Sequence, residues 1–465
     1  MHALGRTALV HVQNLLRGFV PDGSGLVSSV RTGKDIVALL SQEWAETCDR
    51  RCTPVVTCWT CLRQLPSEAP SCRAAVARLK AARVAQGLAP WSPLTGGACK
   101  ARQRRPETRR PRLVSLRGPR LQPQRPGAWH WHGRAVQIVD GSGGSMPDTE
   151  ANHEAYPPPG SQAPGLGVPV ARLVGVVSLA CGAGLPAAVG RIKGPQTREI
   201  RRFHGRPAHR ERDAVVLADR CACSSWEGAV LLGQGIDIVR RWPQRRPVDC
   251  RGGRRVGRED PSVSWTKPKR PAWRDEATSA VLPAPVDMRE RRGRVAQRGC
   301  RPRVVRGATT VLDAQGYPTA ELAGLSRARW HAALARRAIK QTMQRDGLRC
   351  KTPAMVRKEI WGHLLVDNLL RAAMAPAALG HGVRPRQGSV QGARQTLTAV
   401  HSQLAQASPS RREGRIQSVL SAIARHRVGT RPDRSEPRAV KRRPKPYPLL
   451  RVPRQQARAR LAAAA

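Results

Sequence analysis

The sequence is short of the aromatic residues that usually fill a protein core. It contains two phenylalanines and three tyrosines in 465 residues, although tryptophan occurs 11 times. Because Phe and Tyr supply much of the buried apolar area of ordinary domains, this chain must build its interior mainly from other side chains. A chain that never folds is therefore one alternative, and thermal unfolding without a cooperative transition would indicate it.

Acidic residues are scarce as well. The chain has 32 Asp and Glu against 82 Lys and Arg, which gives a formal net charge of +50. Its length allows two or three domains, but a charge of this size repels itself in a compact state unless a polyanion neutralises it. Nucleic acid is the favoured partner, because each neutralised phosphate releases a counterion. A solvated basic surface without a specific partner is the alternative.

The cysteines form no regular framework. There are twelve of them, and no secretory signal peptide is recognisable, so we expect reduced thiols in a cytoplasmic, nucleoid-associated protein. The closest cluster ends in a CxxC pair and makes zinc one interpretation; it consists of Cys48, Cys52, Cys58 and Cys61. Because the pair lies in the apolar run TPVVTCWTCLRQL, buried free thiols are favoured.

Long apolar runs are rare, and one raises the question of a membrane span. Residues Leu173 to Gly190 read LVGVVSLACGAGLPAAVG and follow Arg172. The run contains four glycines and a proline, which favour two buried strands joined by a Gly-rich turn. We therefore expect no membrane association.

Composition and periodicity divide the chain into five regions. Residues 1–128 are predicted to form a mainly helical region that binds DNA, because segments such as SCRAAVARLKAARVAQGL have helical apolar periodicity. Residues 129–234 are strand-rich, 235–300 form a β-rich or irregular insertion, and strand and helix patterns resume at 301–375. Residues 376–465 are basic and Pro-rich, which predicts an extended tail.

Two short apolar strands end in an aspartate. They are AVQIVD, ending at Asp140 before the Gly-rich GSGGS, and AVVLAD, ending at Asp219; strands are also predicted at 171–180 and 185–192. A carboxylate at the end of a strand is held rigidly, and two such strands side by side would bring their acids together. The composition alone leaves other roles open, a turn aspartate for Asp140 and a salt bridge to Arg220 for Asp219.

Several strings point to one protein family. They are IVDGS, MPDTEANHEAYPPPGSQAPGLGVPVARLVG, VLADR, LRCKTPAMVRKEIWGHLL, the upstream CRAAVARLKAARVAQGL and CKARQR, and AVKRRPKPYPLL near the end. Together they resemble the DDE transposases of bacterial insertion sequences, in the family with a long insertion before its last acidic residue. The resemblance covers nearly the whole chain. It implies an RNase H-like α/β fold, with a mixed sheet, flanking helices, a β-rich insertion before the last catalytic helix and a helical N-terminal region.

The resemblance also implies a chemistry. Three carboxylates would bind two divalent cations about 4 Å apart, and DNA strands would be cut and joined by attack of water and then of a 3′-hydroxyl. Mg²⁺ suits carboxylate and phosphate oxygens, and Mn²⁺ is a possible substitute. Asp140 and Asp219 would be two of the catalytic metal ligands, with Arg220 beside them on DNA. The implied partners are double-stranded DNA, as terminal repeats and target, and a second copy of the chain on paired ends.

The third acid is missing from its expected place. The family signature reads Tyr, two residues, Arg, three residues, Glu, six residues, Lys, and it falls on LSRARWHAALARRAIK. Arg329, Trp330 and Lys340 occupy matching positions and are the implied DNA contacts, although solvated charges on an amphipathic helix remain the alternative for the two cations. The Tyr position holds Ser326, and the Glu position holds Ala333.

No neighbouring acid can replace the lost glutamate. Glu321 and Asp346 are twelve residues before and thirteen after Ala333, which is about 18–20 Å along a helix. The sequence therefore predicts an insertion-sequence transposase in a degenerate copy, impaired by loss of the third acid. The alternative from another class is a non-catalytic, basic DNA-binding remnant. Divalent-metal-dependent nicking distinguishes the two.

Overall fold

A computed structural model provides the tertiary structure of much of the chain. It describes residues 57, 60–61, 64–65, 67, 71–84, 95–104, 127–160, 165–192, 212–218, 225–241, 253–257, 260–266, 270, 276–283, 285–297, 300–328, 347–406, 408–428 and 450–463. Within these ranges, every helix is too short or too polar to span a bilayer.

The described residues form nine strands and ten α-helices. The strands are β1 (Val136–Ser145), β2 (Val170–Ser178), β3 (Gly184–Arg191), β4 (Val215–Ala218), β5 (Asp237–Arg241), β6 (Arg254–Gly257), β7 (Asp260–Trp265), β8 (Val286–Gln297) and β9 (Cys300–Thr309). The helices are α1 (Cys72–Val84), α2 (Thr95–Arg104), α3 (Glu150–Ala155), α4 (Ser225–Leu232), α5 (Glu276–Val281), α6 (Thr319–Ala328), α7 (Pro353–Gly380), α8 (Val390–Gln406), α9 (Pro409–Arg425) and α10 (Arg454–Ala463).

All nine strands belong to one mixed sheet, in the order β3-β2-β1-β4-β5-β9-β8-β7-β6. Strands β1 to β3 form an antiparallel meander, whereas β4 is parallel to β1 and β5 is parallel to β4. This order and these directions are those of an RNase H-like sheet, so the predicted fold class is confirmed. Strands β6 to β9 are antiparallel and extend the sheet beyond β5.

Alternation along β1 directs its side chains to two separate cores. Val136 and Ile138 pack with Leu322 of α6 on one face of the sheet. Val139 packs on the opposite face, in the core that includes α4. Because side chains alternate along a strand, Asp140 follows Ile138 onto the face covered by α6.

The apolar run that raised a membrane span forms β2, the following turn and most of β3. The two strands pair in an antiparallel manner and Gly182 lies in the turn with a φ of 75°, a conformation that favours glycine. The predicted strands at 171–180 and 185–192 are therefore confirmed. Strand β1 is longer than AVQIVD, because the Gly-rich segment to Ser145 continues to pair with β2.

The prediction of an extended tail after residue 376 was wrong for residues 390–425. Helices α8 and α9 pack with α7 in one apolar core, which contains Val390, Ala393, Val419 and Ile423. These residues recur at helical spacing, and the extended tail was predicted from the basic, Pro-rich sequence that follows residue 426. Helix α7 also runs through Pro376 to Gly380.

One strand of the central sheet lies inside the range assigned to the insertion. Strand β5 falls within 235–300, yet it pairs in parallel with β4 from Val215↔Asp237 to Ala218↔Arg240. Its residues Ile238 and Val239 are buried on opposite faces of the sheet. The central sheet therefore continues into this range before the antiparallel strands of the insertion begin.

Candidate active site

Asp140 is the predicted site residue whose surroundings the structure describes. It lies on β1, paired with Gly175 of β2, and its Oδ1 accepts a hydrogen bond from the Gly141 N–H at 2.8 Å. The side chain is half-buried, in contrast to the fully buried Ile138 that precedes it on the same face. A half-buried aspartate held on a central strand suits a cation ligand.

The second predicted acid follows β4. Asp219 and Arg220 lie outside the described residues, which end here at Ala218. The four residues of β4 are all buried, and the strand runs parallel to β1 with Val136↔Val215 and Ile138↔Leu217 as partners. The structure therefore places the end of β4 next to the part of β1 that leads to Asp140.

The signature helix begins as α6. Arg329, Trp330, Ala333 and Lys340 lie outside the described residues, so only the first part of the motif, including Ser326, is seen. Glu321 is exposed and its carboxylate lies 2.5 Å from the His132 Nε2. The described partner of the Glu321 carboxylate is therefore His132.

The chain returns from the signature segment to the end of β1. Gly347 forms a parallel bridge with Ser145, and the Leu348 N–H donates to the Ser145 carbonyl at 2.6 Å. The loop is held by Glu359 of α7, whose carboxylate accepts from the N–H groups of Arg349 and Cys350, each at 3.0 Å. Burial alone would raise the pKa of Glu359, but contacts with His363 and these hydrogen bonds lower it to about 2.

Sequence reasoning did not identify Glu359 as a positioning residue. It lies in the quoted string LRCKTPAMVRKEIWGHLL, where buried Val356 and Ile360 surround it at helical spacing. A charged residue on the apolar face of a helix is a signal that it binds something polar inside the protein. Here the bound groups are backbone N–H donors of the loop that ends the signature segment.

Two arginines of β8 were also missed. Arg289 and Arg291 are 1% and 0% exposed, and both contact α6 or the loop before it. Arg289 is neutralised by Asp260 of β7, with Nε donating to Oδ1 at 2.7 Å. Arg291 has no such direct partner among the described carboxylates, and burial lowers its pKa to about 10, opposed by Asp260 and reinforced by Arg289.

Strands β8 and β9 continue past their neighbours as a basic ribbon, defined as residues 292–297 and 300–306. The two segments pair with each other from Arg292↔Arg306 to Gln297↔Cys300, and with no other described strand. Their thirteen residues include five arginines and no acid. At about 3.3 Å per residue the ribbon is about 20 Å long.

The predicted cysteine cluster is described only in part. No set of three or more His, Cys, Asp or Glu in the described ranges is arranged to hold a metal. Cys61 is a free thiol, whereas Cys48, Cys52 and Cys58 lie outside the described residues. Buried free thiols therefore remain a prediction for this cluster.

Comparison with known proteins identifies a related curated sequence and several structural neighbours. No protein-family model matches the chain. The transposase InsG of insertion sequence element IS4 from Escherichia coli (strain K12) is 28% identical over 334 residues, which cover 69% of this chain and 70% of that protein. The piggyBac transposase, in a cryo-EM synaptic complex with hairpin DNA, has a TM-score of 0.42 at 10% identity, over 91% of this chain and 87% of that one. The RNase H-like fold is assigned from the order and direction of the strands. The similarity to InsG confirms the resemblance to insertion-sequence transposases.

Proposed function

We propose that this relative of the insertion-sequence transposases is itself a DDE-type transposase, impaired in DNA cleavage by the loss of its third acid. It would bind the terminal repeats of its element and cut and join DNA by metal-dependent phosphodiester chemistry. The position of Asp140 carries the proposal. Its half-buried carboxylate lies on the central strand of an RNase H-like sheet, on the face that the start of the signature helix covers.

Strand register supports Asp219 as the second metal ligand. The pairs from Val136↔Val215 to Ile138↔Leu217 keep a constant offset of 79 residues, and the same offset joins positions 140 and 219. Leu217 packs with Ile138 on the α6 face, and continued alternation would put position 219 on that face as well. Neighbouring strands are about 4.8 Å apart, so two carboxylates at these positions could share cations.

Two anchors support the placement of position 333 over the same site. Helix α6 packs on the face of Asp140 through Leu322 and Leu325, and the chain returns at Gly347 beside Ser145. The sequence predicts a helix that continues to residue 344, which would cross the sheet between these anchors. Alanine at position 333 offers no oxygen to a metal, so the site would have two acids instead of three.

The available donors fit Mg²⁺, with Mn²⁺ as a substitute. Asp140 and Asp219 would hold the cations, because carboxylate oxygens are the ligands that these hard cations prefer. Cations bound there would stabilise the attacking and leaving oxygens of the phosphodiester. Asp140 would act from a fixed position, since β1 is paired on both sides by β2 and β4.

The basic ribbon offers a surface for double-stranded DNA. The major groove is about 12 Å wide and admits a two-stranded β-ribbon. Arg292 and Arg306 at the base of the ribbon are exposed. Arg220, Arg329, Trp330 and Lys340 are the proposed DNA contacts closer to the cut, and a second copy of the chain would bind the paired end.

Nicking of supercoiled plasmid in Mg²⁺ or Mn²⁺ tests the proposal. We expect no cleavage by the native protein and cleavage by Ala333→Glu, because the added carboxylate completes the metal site. Ala335→Glu is the matched control, since two residues turn a helix by about 200° and direct the same charge away. Cleavage by the native protein at the rate of Ala333→Glu would contradict the proposed impairment.

The absence of an acid at position 333 favours a second function, a non-catalytic DNA-binding protein that uses the same surface. This alternative predicts that all three proteins bind linear duplex DNA equally and that none of them nicks it. If the protein only binds DNA, Asp140→Asn leaves binding unchanged. If it is a transposase, adding Asp140→Asn to the cleaving Ala333→Glu protein abolishes nicking.

A further inference from the structure

We propose that Arg291 is a positioning residue for the signature helix and sets the rotation of that helix about its own axis. Through this rotation it would direct Arg329, position 333 and Lys340 at Asp140. The inference rests on the proposed function, because it assumes that the signature helix continues over the catalytic face. It assigns a role in the active site to a strand of the insertion.

The guanidinium of Arg291 lies under α6. Its Nη2 donates to the Leu322 carbonyl at 2.9 Å and to the Ser326 hydroxyl. Both groups belong to α6 and are one helical turn apart. Because hydrogen bonds depend on direction, these two contacts restrict rotation of the helix more closely than apolar packing of Leu322 and Leu325 does.

Space for this side chain is provided by a glycine on the neighbouring strand. Gly307 of β9 is the partner of Arg291 in the ladder, and a Cβ there would lie 3.2 Å from the Arg291 Nη2 and 3.0 Å from the Arg240 carbonyl. A side chain at position 307 would crowd both the guanidinium and the Arg240 carbonyl. The small side chain of Ser326, at the signature tyrosine position, leaves room from the other side.

A second arginine fixes the start of the same helix. Arg289 donates to the Tyr317 carbonyl at 2.8 Å and to the Thr319 hydroxyl at 3.2 Å. Thr319 in turn donates to Asp260, which pairs with Arg289. Arg289 therefore holds the first turn in place, and Arg291 holds the next turns at a defined rotation.

Helical geometry connects this contact to the signature positions. In a helix that continued from α6 at about 100° per residue, positions 322, 326, 329, 333 and 340 would lie within about 60° of one another on a single stripe. Leu322, on that stripe, packs against Ile138, two residues before Asp140 on the same face. Whatever fixes the rotation of α6 would therefore fix the direction of the whole stripe.

The burial of Arg291 leaves part of its hydrogen-bonding capacity unsatisfied. Its Nε and Nη1 have no hydrogen-bond partner among the described residues, although the side chain is fully buried. A hydrophobic side chain of similar volume would avoid this desolvation cost. A directional role for the remaining donor accounts for an arginine at this position.

Photo-cross-linking from position 333 tests the inference without requiring cleavage. In Ala333→p-benzoylphenylalanine, we expect a cross-link to the tryptic peptide 135–172, which contains Asp140. Adding Arg291→Met should remove that cross-link while circular dichroism remains unchanged. Arg240→Met is the matched control, because Arg240 is equally buried but lies beside Gly228 of α4 on the opposite face.

The outcomes separate this inference from the proposed function. A cross-link that survives Arg291→Met would overturn the positioning role and leave the proposed site intact. A probe that never reaches peptide 135–172 would refute the proposed placement of position 333, and the inference would fail with it. If Arg291→Met does not fold, Arg291→Lys carries the same test, because one ammonium donor cannot reproduce the orientation of a guanidinium.

Kinetics of the Ala333→Glu protein provide a second readout. A misplacement of about 1 Å at a catalytic group can cost about 100-fold, so Arg291→Met should lower kcat by about that factor with little change in KM. Arg291→Lys should recover part of the loss, since it retains a donor for the Leu322 carbonyl. An equal loss in Arg240→Met would indicate general destabilisation and contradict the assignment.

Discussion

Strands β1 and β8 belong to one sheet and both contact α6, but they bury different kinds of side chain. Strand β1 presents Val136 and Ile138 to the helix, whereas β8 presents Arg289 and Arg291. The first pair needs only apolar neighbours. The second pair needs a carboxylate, backbone carbonyls and hydroxyls at defined positions, because a buried charge without partners is costly. Strands β1 to β5, the core half of the sheet, therefore contact α6 by non-directional packing, whereas strands β6 to β9, the insertion half, contact it by directional hydrogen bonds that also locate the helix.

The largest expected effect is on the insertion half, where one partner of a buried ion pair can be removed. Asp260→Ala should lower the free energy of unfolding by about 3–5 kcal/mol, because it leaves Arg289 buried without its carboxylate. The double variant Asp260→Leu with Arg289→Met should recover most of that loss. Urea unfolding of both proteins measures the difference, and a double variant no more stable than Asp260→Ala would contradict the explanation.

An apolar truncation in the core half should follow a different rule. Leu217 of β4 is 1% exposed, so Leu217→Ala should cost about 2–4 kcal/mol through lost transfer energy and the cavity left behind. Unlike the loss of stability in Asp260→Ala, this loss should not be recovered by a second substitution at a polar residue. The same urea titration tests this, and a loss below about 1 kcal/mol would indicate that the region is not closely packed.

A buried carboxylate of α7, outside the sheet, can be tested by pH. The pKa of Glu359 is lowered from 4.5 to about 2 in the folded protein. Its contribution to stability, about 3 kcal/mol, is therefore present above pH 4.5 and is lost as the pH falls towards 2. Glu359→Gln should flatten the stability profile between these pH values. A profile identical to that of the native protein would show that other groups cause the acid sensitivity.

The smallest expected effect concerns DNA affinity and the distal part of the insertion. Replacing Arg294, Arg301 and Arg303 of the basic ribbon by Gln should reduce the slope of log affinity against log salt by about 2–3. Replacing three exposed arginines of α9, Arg411, Arg415 and Arg425, removes the same charge elsewhere. Equal slopes for the two triple variants would show that the ribbon is not a special DNA-binding surface.

The apolar strands of the core half could be predicted because their pattern is local. Strands β1 to β4 were each recognisable as short aliphatic runs, and their sequence strings carried the family resemblance and the assignment of Asp140. Strand β8 could not be recognised in the same way. Hydropathy scales rank arginine as polar, so the sequence does not mark Arg289 and Arg291 as buried. Their burial depends on the carboxylate of β7 and the carbonyls of α6, which only the fold brings close.

The helices after residue 376 show a related limit. Their apolar residues recur at helical spacing, but the basic, Pro-rich sequence that follows from Arg427 to Arg454 favoured an extended tail for the whole region. Packing against α7 offsets that local preference, since Val390 and Ile423 reach the same apolar core. Most helical stability in proteins comes from such tertiary packing and little from intrinsic propensity.

The amino-acid sequence by itself determined the identity of the candidate acids, the absence of a glutamate at position 333, the basic charge and the family resemblance. These depend on residue type and spacing, which are properties of the chain alone. The tertiary structure decided which face Asp140 shares with α6, how Glu359 holds the loop back to β1, and that Arg289 and Arg291 contact the signature helix. These depend on strand register and on residues distant along the chain, and only folding brings such residues within hydrogen-bonding distance.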